Sequence, residues 1–274
     1  MIQMRQYNFK PTKRVRNFNK YHDQTNLHQN CIIANKASIM LKGKTAIITG
    51  GTKGIGYGVA EALLASGMNV TITSRTTAAA EKAAKSLGAN CLGLKADVRN
   101  FESQQKVVKS TIEKFGSVDA MIANAGVGHF ASIEDLTAEQ WNEVMDINLT
   151  GVFYSTKASL DELKKSKGYL ITIASLAGTN FFAKGSAYNA SKFGLVGFSQ
   201  AVMMDVRDQG VKVTTIMPGS VATHFNDHTP TDADKWKIQP EDIGKIVVDL
   251  LTMHPRVLPS KVEVRPSMPS NKPK

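Results

Sequence analysis

The stretch TAIITGGTKGIG, residues 45–56, decides how this chain folds. Its first four residues form an apolar run that predicts a short buried strand, and its glycines lead into a helical stretch at 57–66. Glycine permits a tight turn and a close approach to a pyrophosphate, and the N-terminus of the next helix adds unpaired N–H groups. The spacing G-x-x-x-G-x-G also fits an ordinary turn, but its place in the first strand–helix unit favours nucleotide binding.

Strand-like and helix-like segments alternate along the rest of the chain, which predicts a parallel sheet covered on both faces. No break rich in proline, glycine or serine and no repeat divides residues 40–266, so we expect one doubly wound α/β Rossmann domain of about seven strands. Further strands are predicted at 70–73, 91–95, 120–123, 169–173, 212–216 and 262–264, and further helices at 78–87, 101–115, 138–165, 186–208 and 241–251.

The first 39 residues differ from the rest in composition. They hold seven Lys/Arg and one Asp, so they account for +6 of the net charge of +11, and they lack apolar periodicity. We predict a disordered basic N-terminal extension at 1–39 and a C-terminal tail at 267–274. A nucleic-acid-binding arm is possible on charge alone, and translation could begin at Met40. An inert tail or a start at Met40 is favoured, and no nucleic-acid partner is expected.

The composition also limits the compartment and the kind of site. The sequence contains no run of about 18 apolar residues, so no membrane span is predicted. The two cysteines, Cys31 and Cys91, form neither a disulfide framework nor a metal spacing, which favours the cytoplasm. His224 and His228 flank Asp227 but lack a third ligand, so no metal site is predicted.

The end of the second predicted strand, where a dinucleotide's ribose should lie, has no carboxylate. NAD sites place an acid there, whereas this chain has Ser74 and Arg75, with Lys53 of the glycine turn able to approach the same corner. Two cations without a carboxylate suit the 2′-phosphate of NADP. The alternative is a pair of ordinary surface cations.

Tyr188 and Lys192 lie four residues apart in the helix predicted at 186–208, so they share one face. A nearby ammonium group favours the phenolate, which would lower the tyrosine pKa from about 10 and suit it to proton transfer near neutral pH. A solvated surface pair is the alternative interpretation of this spacing.

Together these motifs resemble the short-chain dehydrogenase/reductase family over residues 40 to about 266. The matching pieces occur in family order: residues 49–56, Asp97-Val98, Asn124-Ala125-Gly126, Asn148, Ser175, Tyr188 with Lys192, and Pro218-Gly219 with Thr223. Ala123 departs from the family, which often has a second Asn there.

The resemblance implies a hydride transfer in which Tyr188 is the general acid or base, Lys192 lowers its pKa, Ser175 donates to the substrate oxygen and Asn148 holds a relay water. The implied catalytic residues are Asn148, Ser175, Tyr188 and Lys192. The implied NADP-binding residues are Gly50, Thr52, Lys53, Gly54, Ile55, Gly56, Arg75, Asp97, Val98, Asn124, Gly126, Tyr188, Lys192, Pro218, Gly219, Val221 and Thr223. The family also implies a homotetramer or homodimer.

Two segments are predicted to form the substrate pocket, 176–184 and a mobile loop at 224–239 that could act as a lid. The family suggests a ketone, a 3-oxo or 3-hydroxy acid, or a 3-oxoacyl thioester as substrate. The ending VEVRP at 262–266 lacks the glycines typical of acyl-carrier-protein reductases and favours a small molecule. The alternative function is a catalytically silent NADP-binding regulator, which would usually have lost the Tyr or the Lys.

Overall fold

A computed structural model describes residues 39–268, so almost all of the predicted N-terminal extension and most of the predicted tail lie outside the described residues. The strands are β1 (Thr45–Ile48), β2 (Asn69–Ser74), β3 (Cys91–Lys95), β4 (Ala120–Ala123), β5 (Tyr169–Ile173), β6 (Lys212–Pro218) and β7 (Lys261–Val264). The helices are α1 (Gly54–Ala65), α2 (Thr77–Leu87), α3 (Phe101–Phe115), α4 (Ala138–Met145), α5 (Gly151–Ser166), α6 (Ser186–Val206) and α7 (Pro240–Thr252).

The seven strands form one parallel sheet in the order β3-β2-β1-β4-β5-β6-β7, which confirms the predicted doubly wound fold. The chain moves outward from β1 to β3 and then returns to place β4 against the other side of β1. A crevice opens beyond the carboxyl ends of the strands where the order reverses, and ligands of such sheets bind there. Both strands at the reversal are fully buried.

Successive side chains of the central strands point to opposite faces, and each face has its own core. Ile48 and Ile122 belong to the cluster that α1 and α7 cover, whereas Ile47 and Met121 belong to the cluster that includes residues of α3 and α5. Fully burying an aliphatic side chain of this size stabilises the fold by roughly 1.5–3 kcal/mol. The layered core thus fixes the sheet edge that bears the crevice.

Two glycines let α1 and α7 pack at close range. A Cβ added to Gly58 would lie 2.7 Å from Pro240, and one added to Gly244 would lie 2.6 Å from the Gly58 carbonyl oxygen. Any larger residue at either position would force the helices apart. This contact holds the start of α7, and therefore the end of the loop that precedes it, against the end of the sheet that bears the crevice.

The helix predicted at 138–165 is interrupted. A π-helical segment, Asp146–Thr150, separates α4 from α5. Such segments are rare and occur often at functional sites, and this one contains Asn148. The helix predicted at 186–208 ends at Val206 and continues as a 3-10 turn, and the other boundaries shift by no more than three residues. Among the described residues, no helix is long and apolar enough to span a bilayer.

Candidate active site

A cleft of about 780 Å³ occupies the predicted crevice, and the glycine-rich turn forms one of its walls. Gly50 and Gly54 have φ values of +64° and +57°, which side-chain-bearing residues rarely adopt. A Cβ added to Gly56 would lie 2.6 Å from Asn124 Nδ2 and 2.7 Å from the Gly50 carbonyl oxygen. The turn is therefore a cradle that glycine alone leaves open, which fits the close approach of a pyrophosphate.

Asn124 holds this cradle in shape rather than only lining it. Its Nδ2 donates to the carbonyl oxygens of Thr49, at 2.9 Å, and Gly50, at 3.1 Å. The Thr49 hydroxyl in turn accepts from the backbone N–H groups of Asn124 and Ala125. These bonds join the ends of β1 and β4, so they set the width of the crevice between them.

The predicted ribose corner contains the expected cations and one that the sequence reasoning missed. Lys53 and Arg75 both line the cleft, and so does Asp97. The Asp97 carboxylate accepts from Arg99 Nη2 at 2.6 Å and from Arg99 Nε at 3.0 Å. This pairing with Arg99 holds the pKa of the Asp97 carboxyl below its usual range, despite partial burial. Arg99 thus offsets the negative charge of Asp97 near the corner. The D-x-R spacing of Asp97 and Arg99 could have suggested this forked pairing.

Tyr188 and Lys192 both line the cleft, as the helical spacing predicted. Lys192 is only 4% exposed, and its Nζ donates to the Ile173 carbonyl oxygen at 3.0 Å and lies 5.7 Å from the centroid of the Tyr188 ring. Burial lowers the pKa of Lys192 to about 8. Lys192 therefore remains largely protonated at neutral pH beside the tyrosine.

The pKa of Tyr188 departs from the expectation. Burial raises it above the usual value, and a hydrogen bond with Ser175 only partly offsets that rise. The net shift of the Tyr188 pKa is therefore opposite to the predicted one, because burial outweighs any effect of the Lys192 ammonium group, which donates to a backbone carbonyl. A phenol whose pKa lies above its usual value of about 10 is protonated at neutral pH.

Asn148 lies behind the wall of the cleft and is fully buried. Its Oδ1 accepts from the Val127 N–H at 2.8 Å, and its Nδ2 donates to the Val127 carbonyl oxygen at 2.9 Å and to Ser191 Oγ at 3.0 Å. The widened π-helical turn presents this amide to the loop after β4 and to α6 at once. A Cβ on Gly126 would lie 3.3 Å from Asn148 Oδ1 and 3.7 Å from Lys192 Nζ, so these groups are near neighbours.

Most of the residues implied by the motifs converge on this cleft. Gly56 and Asn148 are the exceptions, since they support the wall without lining it. The lining residues among those predicted are Gly50, Thr52, Lys53, Gly54, Ile55, Arg75, Asp97, Val98, Asn124, Gly126, Ser175, Tyr188, Lys192, Pro218, Gly219, Val221 and Thr223.

Aromatic side chains surround Tyr188, and the sequence analysis anticipated only some of them. The ring centroids of Phe130 and Phe225 lie 5.4 and 5.7 Å from that of Tyr188, and Phe182 lies 5.8 Å from Phe130. Gly128 makes room for the cluster, because an added Cβ would come within 3.0 Å of both Phe225 and Phe130. These rings shield the phenol from water, and Phe130 gave no signal in the sequence.

The loop at 224–239 is organised by a buried carboxylate. Asp234 is 6% exposed and accepts from Lys237 Nζ at 2.6 Å, from His228 Nε2 at 2.9 Å and from the Thr231 N–H at 2.9 Å. Its hydrogen bond with Lys237 is the main reason that the pKa of its carboxyl lies well below the usual range. Lys237 and His228 also line the cleft, so Asp234 fixes the loop against the site.

A second pair, His129 and Glu143, was also missed by the sequence analysis. His129 Nε2 donates to Glu143 Oε2 at 2.7 Å, and both residues line the cleft. The pair joins the loop after β4 to α4. Because the two residues are 14 positions apart on different elements, no local pattern could have shown their contact.

Comparisons with known proteins agree with this geometry. Residues 44–234 match the family model described as short chain dehydrogenase. An uncharacterized oxidoreductase of Staphylococcus saprophyticus is 32% identical over 83% of this chain and 99% of its own length. A 3-oxoacyl-[acyl-carrier-protein] reductase of Vibrio cholerae is 35% identical over 67% of this chain and 75% of its own. A D-beta-hydroxybutyrate dehydrogenase of Cupriavidus necator is 37% identical over 67% and 73%.

Solved structures give the same result. An alcohol dehydrogenase from the archaeon Thermococcus sibiricus, complexed with 5-hydroxy-NADP, superposes with a TM-score of 0.77 at 29% identity, over 84% of this chain and 99% of that one. The family model spans more than half of the chain, and the glycine cradle, Tyr188 and Lys192 line one cleft. The chain therefore belongs to the short-chain dehydrogenase family of oxidoreductases.

Proposed function

We propose that this protein transfers a hydride between NADP(H) and a carbonyl or secondary alcohol group, in a ketone, a 3-oxo or 3-hydroxy acid or a 3-oxoacyl thioester. The observation that supports this most directly is that Tyr188, Ser175 and Lys192 line the same cleft as the glycine cradle. The coenzyme supplies or accepts the hydride when bound, and this chain supplies the proton transfer and the positioning.

Each catalytic side chain has a role that follows from its environment. Tyr188 gives its phenolic proton to the substrate oxygen in reduction, since its phenol is protonated at neutral pH and lines the cleft. Ser175 binds the same oxygen and helps to stabilise charge that develops on it. Lys192 is positively charged near neutral pH, and its charge favours the phenolate form of Tyr188 that is left after proton transfer. Asn148 fixes the loop after β4 against α6 and thereby positions Lys192.

The preference for NADP over NAD is part of the proposal. Arg75 and Lys53 line the cleft at the end of β2, and Ser74 occupies the position where a ribose-binding acid would stand. Arg99 pairs with Asp97 and reduces its negative field at this corner. A 2′-phosphate, with nearly two negative charges near pH 7, is therefore better matched than two ribose hydroxyls.

Tyr188→Phe tests the assignment, since it removes only the hydroxyl that exchanges protons. We expect NADPH-dependent reduction of β-ketoesters and diketones to fall at least about a hundredfold, the scale of general acid catalysis, with NADPH affinity nearly unchanged. Tyr154→Phe is the matched control, because it removes the same group from a partly buried tyrosine of α5 that packs on Phe101 away from the cleft. Near-normal turnover by Tyr188→Phe would refute the proposed chemistry.

The alternative, a silent NADP-binding regulator, is less well supported, because both Tyr188 and Lys192 are present and face the cleft. An NADPH-binding protein without turnover on any carbonyl substrate would favour it.

We further propose a homotetramer or homodimer formed through α5 and α6. A cytoplasmic location, inferred from the scarcity of cysteines, also remains a proposal.

A further inference from the structure

A second pocket, of about 590 Å³, adjoins the cofactor cleft. Ser175, Tyr188, Gly219 and Ser220 line both cavities, so the hydroxyl groups that handle the reacting oxygen lie where the two meet. The cofactor cleft extends from this point toward the glycine cradle, and the second pocket extends from it in the direction of the chain's C-terminal residues. The second pocket is therefore where the part of the substrate beyond its carbonyl group would lie.

The second pocket combines mostly apolar walls with one charged side chain among the described residues. Its walls are mostly apolar or aromatic, with Leu176, Ala177, Phe182, Trp236, Pro266 and Met268 among the lining residues. Arg265 is the only charged side chain that the described part of the chain contributes to it. A single cation in a mostly apolar pocket beside a proton donor is the arrangement expected for a short substrate with one anionic end.

The position of Arg265 is fixed by the sheet. It directly follows β7, whose Val264 pairs with Pro218 of β6, and the Gly219 N–H donates to the Val264 carbonyl oxygen at 2.8 Å. Pro266 follows it, which restricts Arg265 to an extended backbone. The arginine backbone thus lies beside Gly219, one of the residues shared by the two cavities.

The face of β7 decides where the guanidinium can reach. Val262 and Val264 pack on the core cluster covered by α1 and α7, so Arg265 alternates to the opposite face, the one that α6 covers. Its Nη2 donates to Glu263 Oε2 at 3.3 Å, a long contact between two well-exposed groups, which is worth little. A guanidinium has five N–H donors, so it retains donors for a ligand.

We propose that Arg265 binds the carboxylate of the substrate, and that the natural substrates are short oxo acids and the corresponding hydroxy acids. This inference rests on the proposed hydride transfer. The hydride adds to the carbonyl carbon and Tyr188 gives its proton to the oxygen, so the oxo acid becomes a hydroxy acid while the carboxylate is unchanged. Arginine can hold that carboxylate through two parallel hydrogen bonds, and Glu263 competes for the same donors.

The test compares acetoacetate with methyl acetoacetate, which has the same carbonyl group without the charge. In Arg265→Gln, we expect kcat/KM for acetoacetate to fall about ten- to a hundredfold and that for the ester to change less than about twofold. Glu263→Gln should act in the opposite direction and raise kcat/KM for the acid alone. Arg256→Gln, which removes a charge from an exposed arginine outside both cavities, is the matched control and should change neither value.

Several outcomes would overturn the inference. Equal losses on acid and ester in Arg265→Gln would show a structural role, and thermal unfolding together with NADPH binding would confirm it. No loss on either substrate would show that Arg265 does not bind substrate. A loss confined to acetoacetyl-coenzyme A would assign the arginine to a thioester's phosphates instead. Reduction of the ester by the unchanged enzyme would in each case leave the proposed function standing, whereas reduction of the ester without reduction of acetoacetate would overturn this inference alone.

Discussion

Lys192 is the residue whose environment has the clearest energetic consequence. Its folded pKa of about 8 lies below the usual 10.5, so the unfolded chain binds more protons between these values. Stability should therefore rise with pH across that window, and below pH 8 the buried charge costs on the order of 3 kcal/mol at about 1.36 kcal/mol per pKa unit. In the proposed function, this cost accompanies the positive charge that Lys192 places beside Tyr188.

Lys192→Met should show that cost directly. Methionine fills similar volume without a charge, so we expect the variant to be inactive yet to melt several degrees higher than the unchanged protein at pH 7. The difference should shrink as pH rises from 8 to 10.5. Thermal denaturation at a series of pH values measures it, and Lys106→Met, an exposed position on α3, is the control. A lower melting temperature at pH 7 would show that the ammonium group stabilises the fold.

Arg75 decides the coenzyme preference in our proposal. One charge-assisted hydrogen bond to the 2′-phosphate contributes roughly 1.5–3 kcal/mol, which corresponds to about ten- to a hundredfold in affinity. Arg75→Ala should raise KM for NADPH by this factor and leave KM for NADH nearly unchanged, and Ser74→Asp should then shift preference toward NADH. Lys82→Ala removes an exposed cation of α2 as the control. Equal weakening of both coenzymes would contradict the role of Arg75.

The site residues that could be predicted are those identified by neighbouring positions in the sequence. Tyr188 and Lys192 follow from a helical spacing, and Arg75 follows from its place at the end of a strand. The direction of the Tyr188 pKa could not be predicted, because burial determines it, and two of the rings beside Tyr188, Phe130 and Phe225, are 58 and 37 positions away. The pairing of His129 with Glu143 could not be predicted either, because the two residues are 14 positions apart on different elements.

At the scale of elements, the loop at 224–239, predicted to act as a lid, is organised around the Asp234 carboxylate. Asp234→Asn should leave Lys237 and His228 without their charged partner and loosen the loop over Tyr188. We expect faster amide exchange across the loop and a KM for NADPH and substrate raised about tenfold, because charge-assisted hydrogen bonds are stronger than neutral ones. Hydrogen exchange and steady-state kinetics measure these effects.

Asp232→Asn is a matched control in the same loop, because that aspartate is 92% exposed and pairs only with Lys235 at the surface. It should change neither exchange nor KM. Similar behaviour of the two variants would mean that the Asp234 interactions do not hold the lid. Because its pairing with Lys237 lowers the pKa of Asp234, the ordered loop should persist well below pH 4 and be lost only at more acid pH.

Most strands and helices were predictable because each is short and has a consistent period. The strands at 91–95, 120–123 and 169–173 begin and end where the apolar runs do. The interruption at Asp146–Thr150 was not predictable, since the helical pattern continues through it and the wider turn is held by the contacts of Asn148 with distant elements. The contacts of Asp234 with Lys237 and His228 could not be predicted either, because they lie in a polar segment.

At the scale of the whole molecule, three large apolar side chains on α5 and α6 remain outside the core. Phe153 is 45% exposed, Phe193 is 43% exposed and Met204 is 54% exposed. The Phe153 ring contacts Phe198 at 6.3 Å in an edge-on arrangement, so the two helices already present a joined apolar face. Exposed apolar side chains on neighbouring helices are typical of protein interfaces, and a second copy of the chain would bury them in a symmetric assembly.

Phe193→Glu should therefore reduce the assembly to a smaller species at micromolar concentration, because a carboxylate at the centre of an apolar interface loses its hydration without gaining a partner. Light scattering measures the mass, and NADPH binding shows whether the subunit remains folded. Ile133→Glu, at an exposed site outside both helices, is the control and should leave the mass unchanged. A monomeric unchanged protein, or a Phe193→Glu variant of undiminished mass, would show that this face does not form the subunit interface.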